Sequence, residues 1–100
     1  MNQQKILLPT TALAELCQKY QVRELALFGS AVRGEQNADS DLDFLVEFDS
    51  QARVGFLTLS RLGRELSELL HCPVDLVPKE GLKAIIRGQV LAEAEVVYAA

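Results

Sequence analysis

Two aspartates one residue apart, Asp41-Leu42-Asp43, follow a Gly29-Ser30 pair after ten intervening residues. Each pair borders an apolar run: Leu25-Ala26-Leu27-Phe28 leads into the glycine, and Phe44-Leu45-Val46 follows the second aspartate. Side chains alternate along a strand, so Asp41 and Asp43 share one face, about 6.6 Å apart along the chain. Leu42, Phe44, Val46 and Phe48 fill the other face. Two carboxylates held side by side are costly unless a cation lies between them, and a divalent metal with oxygen ligands is the simplest such cation. The Gly29-Ser30 corner suits a phosphate. Glycine admits close backbone approach, the serine hydroxyl donates, and a helix opening there would present free N–H groups.

A third carboxylate, Asp75, interrupts Val74-Asp75-Leu76-Val77 as Asp43 interrupts its own run. If the two strands lie side by side in register, Asp41, Asp43 and Asp75 form one cluster. Three carboxylates around one or two Mg2+ beside a phosphate cradle make a phosphoryl or nucleotidyl transfer site. Each part alone is weak: Gly-Ser is more often only a turn, and each aspartate could sit on a solvated strand face. A calcium loop starting at Asp39 fails on spacing, since its sixth residue is Phe44 rather than glycine and its twelfth is Ser50 rather than glutamate.

The elements that must position these groups alternate. A helix is expected after Pro9, capped by Thr10 or Thr11, with Leu13, Leu16, Cys17 and Tyr20 on one face. A strand over Arg23 to Phe28 and a short helix Ala31-Val32-Arg33 follow, then a polar loop to Ser40 and a strand from Asp41 to Phe48. Leu59, Leu62, Leu66, Leu69 and Leu70 mark a long helix, with Arg61, Arg64, Glu65 and Glu68 outward. His71-Cys72-Pro73 ends it. After the Asp75 strand, a helix is expected from Lys79 to about Arg87, with Leu82, Ile85 and Ile86 inward; Gly88 is a candidate break or kink, and Val90 to Ala94 is a candidate continuation of the helix. Val96-Val97-Tyr98 closes the chain as a strand. The pattern is α/β or α+β: a small mixed β-sheet with helices packed on it, in one domain over residues 1–100.

The chain has 100 residues and a formal net charge of −4. That balance argues against direct nucleic-acid binding through a broad basic surface, though not against a nucleotide ligand, because bound metal reverses the local sign. Two cysteines, Cys17 and Cys72, are too few for a disulfide scaffold, and no zinc ligand set accompanies them. No segment approaches the ~20 apolar residues of a membrane span, so a cytoplasmic protein is expected.

Phe28-Gly29-Ser30-Ala31-Val32-Arg33-Gly34, followed by Asp39-Ser40-Asp41-Leu42-Asp43-Phe44-Leu45-Val46, resembles the signature of the minimal nucleotidyltransferases of the DNA polymerase β superfamily. The resemblance covers nearly the whole chain and implies a polymerase-β-like nucleotidyltransferase fold. It implies that Gly29 and Ser30 hold the β- and γ-phosphates of a nucleoside triphosphate, ATP, and that Asp41 and Asp43 ligate two Mg2+. Asp75 would ligate one of these and help the acceptor hydroxyl lose its proton. Arg33 is as well explained by an exposed salt bridge as by a phosphate contact. Minimal members are commonly antitoxins paired with a helical HEPN toxin, a ribonuclease encoded nearby, and move AMP from ATP onto a tyrosine of that toxin. The expected protein is thus an adenylylating antitoxin, working in a hetero-oligomer because so short a chain leaves another chain to complete the site. The competing readings are an antitoxin acting by binding alone and a nucleotidyltransferase acting on a small-molecule hydroxyl. Clustered carboxylates disfavour the first, and the lack of a second domain disfavours the other.

Overall fold

The structure, a computed structural model, describes residues 8–29, 41–82 and 84–100. The expected Ala31-Val32-Arg33 helix, the polar loop to Ser40 and the Ser30 hydroxyl fall outside these residues. The elements are α1 (Thr10–Lys19), β1 (Val22–Phe28), β2 (Leu42–Phe48), α2 (Phe56–Leu70), β3 (Val74–Pro78), a 3-10 turn (Lys79–Gly81), α3 (Ala84–Glu93) and β4 (Glu95–Ala99).

The strands form one sheet in the order β3-β2-β1-β4. β1 runs antiparallel to both β2 and β4, whereas β2 and β3 are parallel. A parallel pair needs a long crossover, and α2 supplies it. Its leucines fall on one stripe, with Leu62 and Leu66 fully buried and Leu59, Leu69 and Leu70 packed beside them. They meet Leu13 and Cys17 of α1 and the inward row of the sheet: Leu25 and Leu27 from β1, Leu42, Phe44 and Val46 from β2. Each such leucine contributes about 1.5–3 kcal/mol by leaving water. Burial pushes the Cys17 thiol up to about 11.

Three expectations are corrected. The cap of α1 is Pro9, whose carbonyl accepts the Leu13 amide at 2.9 Å, and neither threonine makes a side-chain cap bond. The chain after Pro78 does not enter a helix at once. It makes the 3-10 turn, and α3 begins only at Ala84; beyond Gly88 the helix continues to Glu93, the continuation the sequence left open. β2 begins at Leu42, leaving Asp41 just outside the strand.

A fourth correction concerns Glu65, which does not face away. It turns toward α1, where it accepts a hydrogen bond from the Tyr20 hydroxyl and another from Lys19 Nζ at 3.2 Å. The bond from Tyr20 holds the Glu65 carboxyl below its usual range, with Lys19 adding to this, and raises the Tyr20 phenol. The bond's contribution is therefore full above the ordinary carboxyl value of 4.5 and is lost as pH falls through the lower folded value. At the other end it is full below the ordinary phenol value of 10.0 and is lost as pH rises through the higher folded one. Tyr20→Phe is expected to cost about 1 kcal/mol between these limits. Thermal melts of wild type and variant should converge at both extremes; a pH-independent difference would show that packing, not this bond, carries the effect.

Candidate active site

The face of the sheet away from α1 and α2 carries the expected chemistry. Core side chains alternate with it: Leu42, Phe44 and Val46 point to the helices, so Asp43, Leu45 and Glu47 point the other way. Asp75 is the register partner of Asp43 across the parallel β2–β3 pair. Register partners in neighbouring strands share a face, so Asp43 and Asp75 stand side by side. The alternation Val74-Asp75-Leu76 agrees, because Val74 and Leu76 pack against the core. Asp43 is half-buried, and Asp75 is exposed.

Asp41 lies two residues upstream of Asp43, at the entrance to β2, and is exposed. The Leu42 amide donates to the Pro73 carbonyl at 3.0 Å, which ties this entrance to the start of β3. The thiol of Cys72, beside that tie, is raised first by burial and then by the charge of Asp41. All three aspartates therefore gather at one end of the β2–β3 pair. Among the described residues no three metal-type side chains are drawn into a single ligand set.

Gly29 closes the site from the β1 side. It follows Phe28, the register partner of Asp43, and takes a left-handed φ of 81°. A methyl placed on its α-carbon would lie 2.5 Å from Asp43 Oδ2, 3.3 Å from Cγ and 3.4 Å from Cβ. The backbone of Gly29 thus rests against the Asp43 carboxylate at a distance no side chain would permit. Hard carboxylate oxygens beside a bare backbone fit a hard divalent cation with a phosphate next to it.

Farther along the same face, Lys79 Nζ lies 3.6 Å from Glu47 and 3.8 Å from Glu24. Glu24 and Glu47 are register partners, so the lysine offsets a repelling pair and fastens the exit of β3 to β1 and β2. Sequence reasoning did not single these residues out. The signal was available in the alternation, which puts Glu47 four residues beyond Asp43 on its face, but the partner of Glu47 depends on strand pairing.

A sequence profile described as a nucleotidyltransferase domain matches residues 10–97. A Thermococcus cleftensis protein named protein adenylyltransferase MntA is 45% identical over 84 residues, spanning 84% of this chain and 81% of the relative. Among solved structures, a toxin–antitoxin crystal structure with AMP-PNP is similar at a TM-score of 0.75 and 22% identity, over 93% of this chain and 75% of that one. A structure of a tri-AMPylated Shewanella oneidensis HEPN toxin in complex with an MNT antitoxin is similar at 0.65 and 18% identity, over 91% and 70%. At those identities the two structures speak for the fold.

Proposed function

The chain belongs to the nucleotidyltransferase domain family, and from that premise we propose that it is an Mg2+-dependent protein adenylyltransferase that moves AMP from ATP to a tyrosine of a cognate HEPN toxin. Its mixed four-stranded sheet with packed helices is the polymerase-β-like nucleotidyltransferase fold, and the chain is a nucleotidyltransferase. The observation that carries the finer reading is the register of Asp43 with Asp75 beneath the bare backbone of Gly29. The relative's name, adenylyltransferase, and the AMPylated HEPN toxin beside an MNT antitoxin in a structural neighbour support the donor and the partner.

In this reading Asp41, Asp43 and Asp75 hold two Mg2+, and Gly29 with Ser30 receives the β- and γ-phosphates. Bound Mg2+ supplies the positive charge that offsets the phosphate oxygens and orients them. Asp75, exposed at the rim, accepts the proton of the incoming tyrosine hydroxyl. The tyrosine oxygen bonds to the α-phosphorus, the bond from that phosphorus to the bridging oxygen breaks, and pyrophosphate leaves in line. The chain's work is positioning and charge neutralisation rather than covalent chemistry. Asp43, pressed against Gly29, is the most restrained of the three carboxylates, whereas Asp75 is exposed and open to the acceptor.

The test uses the toxin encoded beside this chain, Mg2+ and α-labelled ATP. Wild type should place label on the toxin, and Asp41→Asn with Asp43→Asn should abolish it. Replacing the labelled tyrosine of the toxin with phenylalanine should remove the acceptor. Neutralisation of the toxin that persists in the unlabelled double variant would overturn the catalytic reading in favour of binding alone.

A further inference from the structure

Phe56 and Leu57 open α2 with 81% and 73% of their surface exposed, although both are large and apolar. Phe56 borders a groove of about 350 Å³ between α2 and β3, walled also by Leu59, Gly63, Val74 and Leu76. β3 is an outer strand, so its far edge meets no other strand among the described residues. Among the described residues that line the groove, Arg64 alone is charged, and it is exposed.

We propose that this groove docks an amphipathic helix of the protein acceptor, with an apolar ridge against Phe56, Val74 and Leu76 and a carboxylate on Arg64. This rests on the protein-adenylyltransferase reading above and names the surface that reading requires. A helix fits better than an added strand. The Val74 amide at the start of the β3 edge already donates to Ser67 Oγ of α2 at 3.1 Å, so the ladder an incoming strand needs is interrupted there. Gly63 leaves open space within 4 Å where a side chain would project, so a ridge can come close to the α2 backbone. Arg64 selects an acidic occupant, and the apolar wall selects one with a matching face. Position links the groove to the chemistry. Val74 and Leu76 wall it, while Asp75 between them points to the opposite face, so a segment leaving the docked helix need only round the edge of one strand to bring a hydroxyl to Asp75.

The probe is the neighbouring toxin, titrated calorimetrically against wild type, Gly63→Leu and Arg64→Glu. Gly63→Leu fills open space on a helix with a better helix former, so its Tm should equal or exceed that of wild type. It should keep the Tm rise given by Mg2+ and ATP, yet bind toxin at least tenfold more weakly and raise the KM for toxin with little change in kcat. Arg64→Glu should weaken binding likewise, with Arg64→Lys recovering part of it. Unchanged toxin affinity in Gly63→Leu overturns the docking site alone. Self-association of this chain that Gly63→Leu abolishes, with toxin binding intact, assigns the groove to a second copy and overturns the proposal. A wild type that does not bind the toxin overturns the partner reading, and the docking site with it.

Discussion

Gly29→Ala is expected to reduce AMP transfer by about a hundredfold, the cost of moving a catalytic group by roughly 1 Å. The added methyl would fall 2.5 Å from Asp43 Oδ2, so the carboxylate must swing aside. A second penalty is independent of Asp43: the left-handed φ of 81° costs an L side chain about 1–2 kcal/mol. For a domain of this length that lowers Tm by about 4–8 °C per kcal/mol. The two effects separate in the Asp43→Asn background. The part of the transfer loss that acts through Asp43 should vanish there, leaving the smaller part due to the phosphate contact of Gly29, whereas the loss of stability should persist in full. Equal further loss of transfer in both backgrounds would mean that the phosphate contact of Gly29 carries the whole effect and its contact with the carboxylate none.

Asp75→Asn carries the other large effect, with opposite signs for function and folding. Transfer should fall about 10²–10³-fold, as when one preorganised electrostatic partner is removed. The metal-free protein should be as stable as wild type or more so, because Asp75 is the register partner of Asp43, and like charges directly opposed cost about 0.2–1 kcal/mol. Mg2+ should raise its Tm less than it raises that of wild type. A clear drop in metal-free Tm would show that Asp75 holds β3 in place by some contact other than the one described.

The faces on which Asp43 and Asp75 stand were legible before any coordinates, because they follow from local pattern, whereas the pairing of the two strands in register was only a condition. Leu42, Phe44 and Val46 alternate with Asp43, Val74 and Leu76 alternate with Asp75, and five leucines at helical spacing mark the helix between the two strands; that the strands are parallel neighbours is seen only in the sheet. What escaped depends on pairs distant in sequence. Glu65 looks outward on its own helix, yet Tyr20, 45 residues earlier, draws it in. Lys79 reads as the first residue of a helix until β1 and β2 bring Glu24 and Glu47 beneath it. The left-handed turn at Gly29 could be guessed from glycine, but its contact with Asp43 requires the antiparallel pairing of Phe28 with that aspartate. Pro9 replaced the threonines at the head of α1 because a carbonyl suffices to start the ladder there, and residue type alone does not say which carbonyl.

The position of β3 has one more consequence. Among the described residues β1 and β2 each have a ladder neighbour on both sides, whereas β3 is joined on one side only, as is β4. Opening free energies are graded across a protein, and a singly bonded margin unzips well before the interior. Asp75 therefore stands on one of the two margins of the sheet, where opening costs least, so β3 can loosen and carry Asp75 away from Asp43 while β1 and β2 stay intact.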